Sequence, residues 1–425
     1  MIPWMSSVRS CTGLFTIAAL VVIGASCTSS VTFAHGSDHA SAFPTGGSAT
    51  PSGPTAEPSA CVLAKPTSPT VPGGSLEAIA SAPTGQAWAV GSVQAKPTHP
   101  LIMYFDGTRW SEVAVPAVSV ASRLDAVTAV STTDVWAVGR QGLARSTTLI
   151  EHWDGMSWSV VQSPDRANSP NQYLNGISAT TATDAWAVGA YWSPAQHYAT
   201  LVEHWDGKSW KVVPSPTITA LPATTSRAVA SGSVASGTPV AASLYSVELF
   251  DNNLSSVSAV SASDVWTAGD YYAAGAYRPL VEHWNGTAWQ VSLPPGTGSI
   301  LSIDATASGT VWAFGERSFG GARIWRSINR QWSVVPSPSV GPSQLSAAAI
   351  RSANDIWAVG NRSIPLHPLL EHWDGKRWSE VDSTSLHLRE GALRSVAAAS
   401  GASSFLAAGV RGGGGTQTPL IVRGC

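Results

Sequence analysis

Asp134-Val-Trp-Ala-Val-Gly139 recurs along the chain as Asp184-Ala-Trp-Ala-Val-Gly189, Asp264-Val-Trp-Thr-Ala-Gly269 and Asp355-Ile-Trp-Ala-Val-Gly360. Weaker copies are Gln86-Ala-Trp-Ala-Val-Gly91, Thr310-Val-Trp-Ala-Phe-Gly315 and Ser404-Phe-Leu-Ala-Ala-Gly409. With Trp88, Trp136, Trp186, Trp266, Trp312, Trp357 and Phe405 as anchors, the spacings are 48, 50, 80, 46, 45 and 48 residues. A fixed period of this length marks a repeat architecture. The spacing of 80 then holds an insertion of about 32 residues.

Each unit has the same internal order. An apolar-alternating strand opens it, as in Leu124-Asp-Ala-Val-Thr-Ala-Val130, and the Trp-Ala-Val strand follows. A loop leads to a third strand such as Leu201-Val-Glu-His-Trp205. Asp206-Gly207 makes a tight hairpin, and Trp210-Lys-Val-Val213 ends the unit at Pro214. Four short β-rich strands joined by Asp-Gly or Asn-Gly turns describe one propeller blade. No helical periodicity competes. The expected fold is all-β, a seven-bladed β-propeller of four-stranded antiparallel blades. The seventh unit stops at Cys425 after three strands. Ala60-Cys-Val-Leu-Ala64 is expected to supply the fourth strand, closing the ring and removing its exposed edges. That pairing brings Cys61 beside Cys425, and in an exported protein two such thiols are expected to form a disulfide.

The layout resembles that of kelch and galactose-oxidase-type propellers, with a glycine closing strand two, a tryptophan in strand four and a proline after it. It lacks the kelch Gly-Gly pair. The hairpin Asp206-Gly-Lys-Ser-Trp210 is similar to the Asp-box of sialidase-like propellers, one residue short. The whole unit is similar to a repeat found in exported bacterial proteins. The resemblance covers residues 60–425 and implies a fold, not an activity.

Composition agrees. The 425 residues include 19 tryptophans and 39 glycines but only 4 cysteines, and 12% are charged, about half the usual ~25%. A formal net charge of -2 offers no basic field for nucleic acid. Residues 14–25 form an apolar run too short to span a membrane and suited to a signal peptide, with Arg9 as the one charge before Asp38. Ile23-Gly24-Ala25-Ser26-Cys27 resembles a lipobox that would acylate Cys27, although Gly24 stands where an aliphatic residue is usual; cleavage after Thr32-Phe33-Ala34 is the other exit. The expected divisions are a leader at 1–34, a Ser/Pro/Gly/Thr linker at 35–58 and the propeller at 59–425. The insertion lies at about 217–250, between repeats three and four. The linker cannot bury enough apolar surface to order itself. An extracellular or cell-envelope location follows, reached through the leader, with membrane contact only through that leader or a lipid.

Glu-His-Trp precedes the hairpin in four repeats, at Glu151-His152-Trp153, Glu203-His204-Trp205, Glu282-His283-Trp284 and Glu371-His372-Trp373. Equivalent strands of neighbouring blades stack ~10 Å apart, too far for shared ligands of one metal ion. The motif is expected to be a buried hydrogen-bond network within each blade, closed on Asp134, Asp184, Asp264 and Asp355. No metal and no cofactor is expected. The once-per-blade tryptophans Trp110, Trp158, Trp210, Trp289, Trp332 and Trp378 are expected in the core.

Function is sought where the repeats break. The two-to-three loops of repeats three and four carry Tyr191, Trp192, Tyr198, Tyr271, Tyr272, Tyr277 and Arg278, and the insertion joins the same top face. Repeat five carries Phe319 in that loop and has Ile324-Trp325-Arg326 instead of Glu-His-Trp. Aromatics beside polar loops suit stacking on sugar rings or a protein hot spot, and equally the pinning of long loops. At the channel mouth, Glu77, Asp125 and Asn175 begin the inner strands, with Asp304 deeper. A glycosidase needs two carboxyls ~5–9.5 Å apart, which Glu77 and Asp125 from adjacent blades could approach. The expectation is therefore a monomeric, non-catalytic binding module for an extracellular glycan. The alternatives are a glycan hydrolase or lyase at the mouth and a scaffold for another envelope protein.

Overall fold

A computed structural model describes residues 63–64, 69–116, 120–166, 169–194, 197–219, 251–318, 320–388, 390–399, 404–412 and 417–424. The expected leader with Cys27, the expected linker, Cys61, Cys425, Phe319 and most of the expected insertion lie outside the described residues.

Six antiparallel sheets have four strands and a seventh has three among the described residues, each in chain order. Blade 1 is Gly74–Ser81, Ala87–Val93, His99–Phe105 and Trp110–Val113. Blade 2 is Ser122–Ser131, Asp134–Gln141, Thr147–Trp153 and Trp158–Val161; blade 3 is Gln172–Thr181, Asp184–Ser193, His197–Trp205 and Trp210–Val212. Blade 4 is Asn252–Ser261, Asp264–Ala273, Ala276–Trp284 and Trp289–Ser292; blade 5 is Ser299–Ala305, Val311–Glu316, Ala322–Ile328 and Gln331–Val335. Blade 6 is Ser343–Ser352, Asp355–Ser363, Leu366–Trp373 and Trp378–Glu380, and blade 7 is Gly391–Ala398, Phe405–Arg411 and Thr418–Gly424. The first strand packs against all three strands of blade 7, so the blades form a ring.

Burial explains the strand compositions. Second strands lie between two neighbouring blades and have no solvent face; every residue of Ala87–Val93 is buried. Such strands read as continuous apolar runs rather than alternating ones. The apolar residues form seven clusters, one per blade interface, so there is no single central core. Tryptophans carry these interfaces. Trp136 of blade 2 lies 4.9 Å from Trp205 and 5.4 Å from Trp210 of blade 3, and Trp186 and Trp312 repeat the arrangement against the next blade. The hairpin turns are built alike. Asp154, Asp206 and Asp374 each accept backbone N–H groups two and three residues ahead through one carboxylate oxygen. Gly155, Gly207 and Gly375 supply the positive φ.

Blade 7 corrects one anchor. The register pairs Leu406 with Arg423, as Trp136 pairs with His152, so Leu406 and not Phe405 takes the tryptophan position. Phe405 points to the other face and packs against Trp357 of blade 6, with ring centroids 4.4 Å apart and the planes tilted by 37°. At the outer edge of Thr418–Gly424 the Ala64 N–H donates to the Arg423 carbonyl at 2.8 Å, and Leu63 is buried in the same cluster as Phe405 and Val422.

Candidate functional site

One irregularity, present in every blade, builds the channel mouth. The inner strand slips register against the second strand between Leu76 and Ala78, and at the equivalent place in the six other blades. A bulge of this kind turns one side chain out of the ladder. The residues so displaced are Glu77, Asp125, Asn175, Ser255, Leu301, Ser346 and Arg394, and all of them line one axial cavity of about 520 Å³. The bulge also accounts for the glycine closing each second strand. A Cβ on Gly91 would collide with the Ser75 carbonyl, and one on Gly139 with that of Arg123.

The two mouth carboxylates are held by arginines. Arg123 Nε donates to Asp125 Oδ1 at 2.6 Å, and Arg394 donates to Glu77 at 2.7 Å across the junction of blades 7 and 1, where Ser75 adds a bond at 3.1 Å. Burial raises the Asp125 carboxyl above its ordinary range, with Arg123 opposing the shift. Asn175 is tied to blade 4 through Asn253 and the Leu254 carbonyl, both at 2.9 Å. Asp304 does not line the cavity. It accepts from Ser302 at 3.4 Å, and burial pushes it up to about 7. The mouth is a set of paired charges and amides.

The aromatic sector divides in two. Tyr271 is buried among Trp186, Val188 and Leu280 and is core, because its place in the strand faces the blade interface. Tyr191 is covered by the Arg166 guanidinium at 4.0 Å. Arg278 is half-buried and turns back to the Ala273 carbonyl at 3.4 Å. The other four form two cross-strand pairs near hairpin tips. Tyr272 faces Tyr277 with ring centroids 5.2 Å apart, 37% and 49% exposed. Trp192 faces Tyr198, both half-buried, and Tyr198 leans on Tyr173 at 5.8 Å. Asp251 joins the hairpins: its side chain accepts from the Tyr198 N–H at 3.2 Å and its carbonyl from the Tyr272 N–H at 2.8 Å. Neither Asp251 nor Arg166 was legible as part of this sector, since each lies in a strand-four-to-one connection without a motif.

The Glu-His-Trp motif is half as expected. His152, His204, His283 and His372 each bond the aspartate of their own blade at 2.7–3.0 Å and lie over its tryptophan. The glutamates do not join that network. They project from the opposite face of the strand toward the preceding blade, where Ser163 donates to Glu203 at 2.9 Å and Ser337 to Glu371 at 2.7 Å. Val115 stands at that serine position before Glu151, and Ser215 is turned to Thr200, so neither Glu151 nor Glu282 has a hydrogen-bond partner among the described residues. Burial pushes Glu151, Glu203 and Glu371 up to about 7 and Glu282 well above its ordinary range. Among the described residues no group of three His, Cys, Asp or Glu side chains could hold a metal ion.

No protein family and no curated protein matches the sequence. Solved structures do. YCF48 from Cyanidioschyzon merolae is 14% identical with a TM-score of 0.51, over 86% of this chain and 98% of that one. YCF48 bound to D1 peptide is 12% identical with a TM-score of 0.50, over 87% and 98%. The GH74 xyloglucanase from Xanthomonas campestris is 14% identical with a TM-score of 0.53, over 82% of this chain and 54% of that one. At these identities the likeness is one of fold.

Proposed function

We propose that the protein is an exported, non-catalytic binding module whose ligand is an extracellular glycan held at the hairpins of blades 3 and 4. The observation that carries this reading is the Tyr272–Tyr277 pair, two exposed rings at one hairpin tip, bridged through Asp251 to the Trp192–Tyr198 hairpin. Rings of this kind give large contact area at low ordering cost and suit the flat C–H faces of sugars. Polar groups for sugar hydroxyls lie alongside, among them His197, whose Nδ1 is 3.7 Å from Asp251. The hydrolase alternative is disfavoured by chemistry. A general acid and a nucleophile must present usable carboxyls, and both mouth carboxyls are engaged by guanidinium groups. Among proteins of similar fold, one is bound to a peptide and another is a xyloglucanase, so the fold does not choose the ligand class. The leader, a lipid on Cys27 and the Cys61–Cys425 disulfide complete the proposal.

The test is an array of extracellular and cell-wall polysaccharides probed with the full-length chain, with Trp192→Ala and Tyr272→Ala beside it. Binding by the wild type that falls in both variants is expected. An array left blank by a folded protein would reduce the rings to packing and turn the search to protein partners.

A further inference from the structure

We propose that a cleft between blades 5 and 6, on the face opposite the hairpins, binds a small oxyanion, a carboxylate or a phosphate, on the Arg326 guanidinium. This does not rest on the glycan reading. In blades 2, 3, 4 and 6 the bottom of the blade holds an Asp–His pair over a tryptophan. Blade 5 keeps the tryptophan, Trp312, and replaces both partners. Thr310 stands in the aspartate position, and Arg326, opposite Trp312 in register, stands in the histidine position. A carboxylate beside an imidazole has become a guanidinium beside a hydroxyl.

Nothing in the described structure takes up that charge. The guanidinium lies 4.8 Å over Trp312 and 6.0 Å from the Trp373 ring, and the buried Arg326 Nε has no hydrogen-bond partner among the described residues. The carboxylate of the neighbouring blade, Asp355, is already bound by Arg351 and His372, each at 3.0 Å. Asp304, on the same face of the sheet as Trp312 and Arg326, accepts from Ser302. Blade 7 shows what the same exchange looks like when it is absorbed internally. There Arg423 turns to Ser404 at 3.5 Å, and Leu406 replaces the tryptophan.

The Arg326 side chain borders a cleft of about 360 Å³, whose rim carries the hydroxyls of Thr306, Ser308 and Thr310 from one turn and Ser352 from the next. That volume falls in the range of small-ligand sites. A guanidinium that meets only indole rings keeps N–H groups for two oxygens of a carboxylate or phosphate, its preferred partners. Thr306 already donates to the Thr310 carbonyl and is paired with Ser308, which leaves the hydroxyls of Thr310 and Ser352 to donate to the remaining oxygens.

Calorimetric titration of the full-length chain with inorganic phosphate and with glucuronate, against glucose as the uncharged control, tests this. Two variants are compared, Arg326→Gln and the double change Thr310→Asp/Arg326→His, which rebuilds the pair that four other blades fold around. The expected result is saturable binding of at least one anion and none of glucose, weakened at least tenfold in both variants. Binding of glucuronate alone would assign the site to carboxylates, and of phosphate alone to phosphoryl groups. Equal affinity in wild type and both variants, or no saturable binding of either anion, would overturn it and leave Arg326 as a packing cation.

Discussion

Glu151, Glu203, Glu282 and Glu371 occupy one position in four blades and are fully buried. Buried carboxyls without a charge partner are held neutral, since desolvation disfavours the ionised form. The sign of the consequence follows from linkage. Glu151 titrates near 4.5 in an unfolded chain and about 7 in the fold, so between those values the native state holds a proton that the unfolded state has released. Its contribution is complete below pH ~4.5 and is lost as pH rises through ~7, a difference of roughly 3 kcal/mol. Glu151→Gln removes the titration and keeps the shape. The variant should melt a few degrees above the wild type at pH 8 and close to it at pH 5. An equal difference at both pH values would show that the carboxyl is not held neutral. The glutamates were visible in the sequence as a motif, but not their direction. A strand places neighbouring side chains on opposite faces, so Glu203 and His204 belong to different blade interfaces although they adjoin in the chain.

At the scale of elements, the strands were legible and their irregularities were not. Asp-x-Trp-Ala-Val-Gly and the Asp-Gly turns fixed the second and third strands and the outer hairpin, because turn chemistry and continuous apolar runs are local signals. The inner-strand bulge is not local. It brings the Ser75–Leu76 backbone so close to the second strand that only a glycine fits at position 91, and only the pairing displays it. It alone sends Glu77, Asp125 and Arg394 into the channel. The same limit produced the slip at Phe405. Counting from Gly360 to Gly409, each paired with the bulge-flanking leucine, gives the register of blade 7, whereas counting from ring to ring misses it by one residue. Tyr271 and Tyr272 show the matching difficulty at the aromatic sector: adjacent tyrosines, one buried against Trp186 and one exposed beside Tyr277.

Over the whole molecule, a ring of seven similar blades distributes its stability over seven interfaces and needs one closure. The Ala64 N–H to Arg423 carbonyl bond lies where the proposed closing strand would begin its pairing with blade 7. If Cys61 and Cys425 are joined, the protein's intact mass will be lower by two hydrogens than that of its reduced form, and reduction will lower its melting temperature. Two alkylatable thiols in the untreated protein would remove the disulfide and leave the propeller. Repetition itself made the fold readable and the function hard to read, because most prominent residues serve every blade alike. The informative positions are the exceptions, Tyr272 and Tyr277 on one face and Arg326 on the other. The most direct measurement is a titration of the full-length chain with a polysaccharide selected on the array, comparing Tyr272→Ala with Glu77→Gln while assaying released reducing ends. A binding module predicts about tenfold weaker affinity in the first, unchanged affinity in the second, and no reducing ends from any of them. Full affinity in Tyr272→Ala, with reducing ends released by the wild type and lost in Glu77→Gln, would contradict it and make the channel mouth an active site.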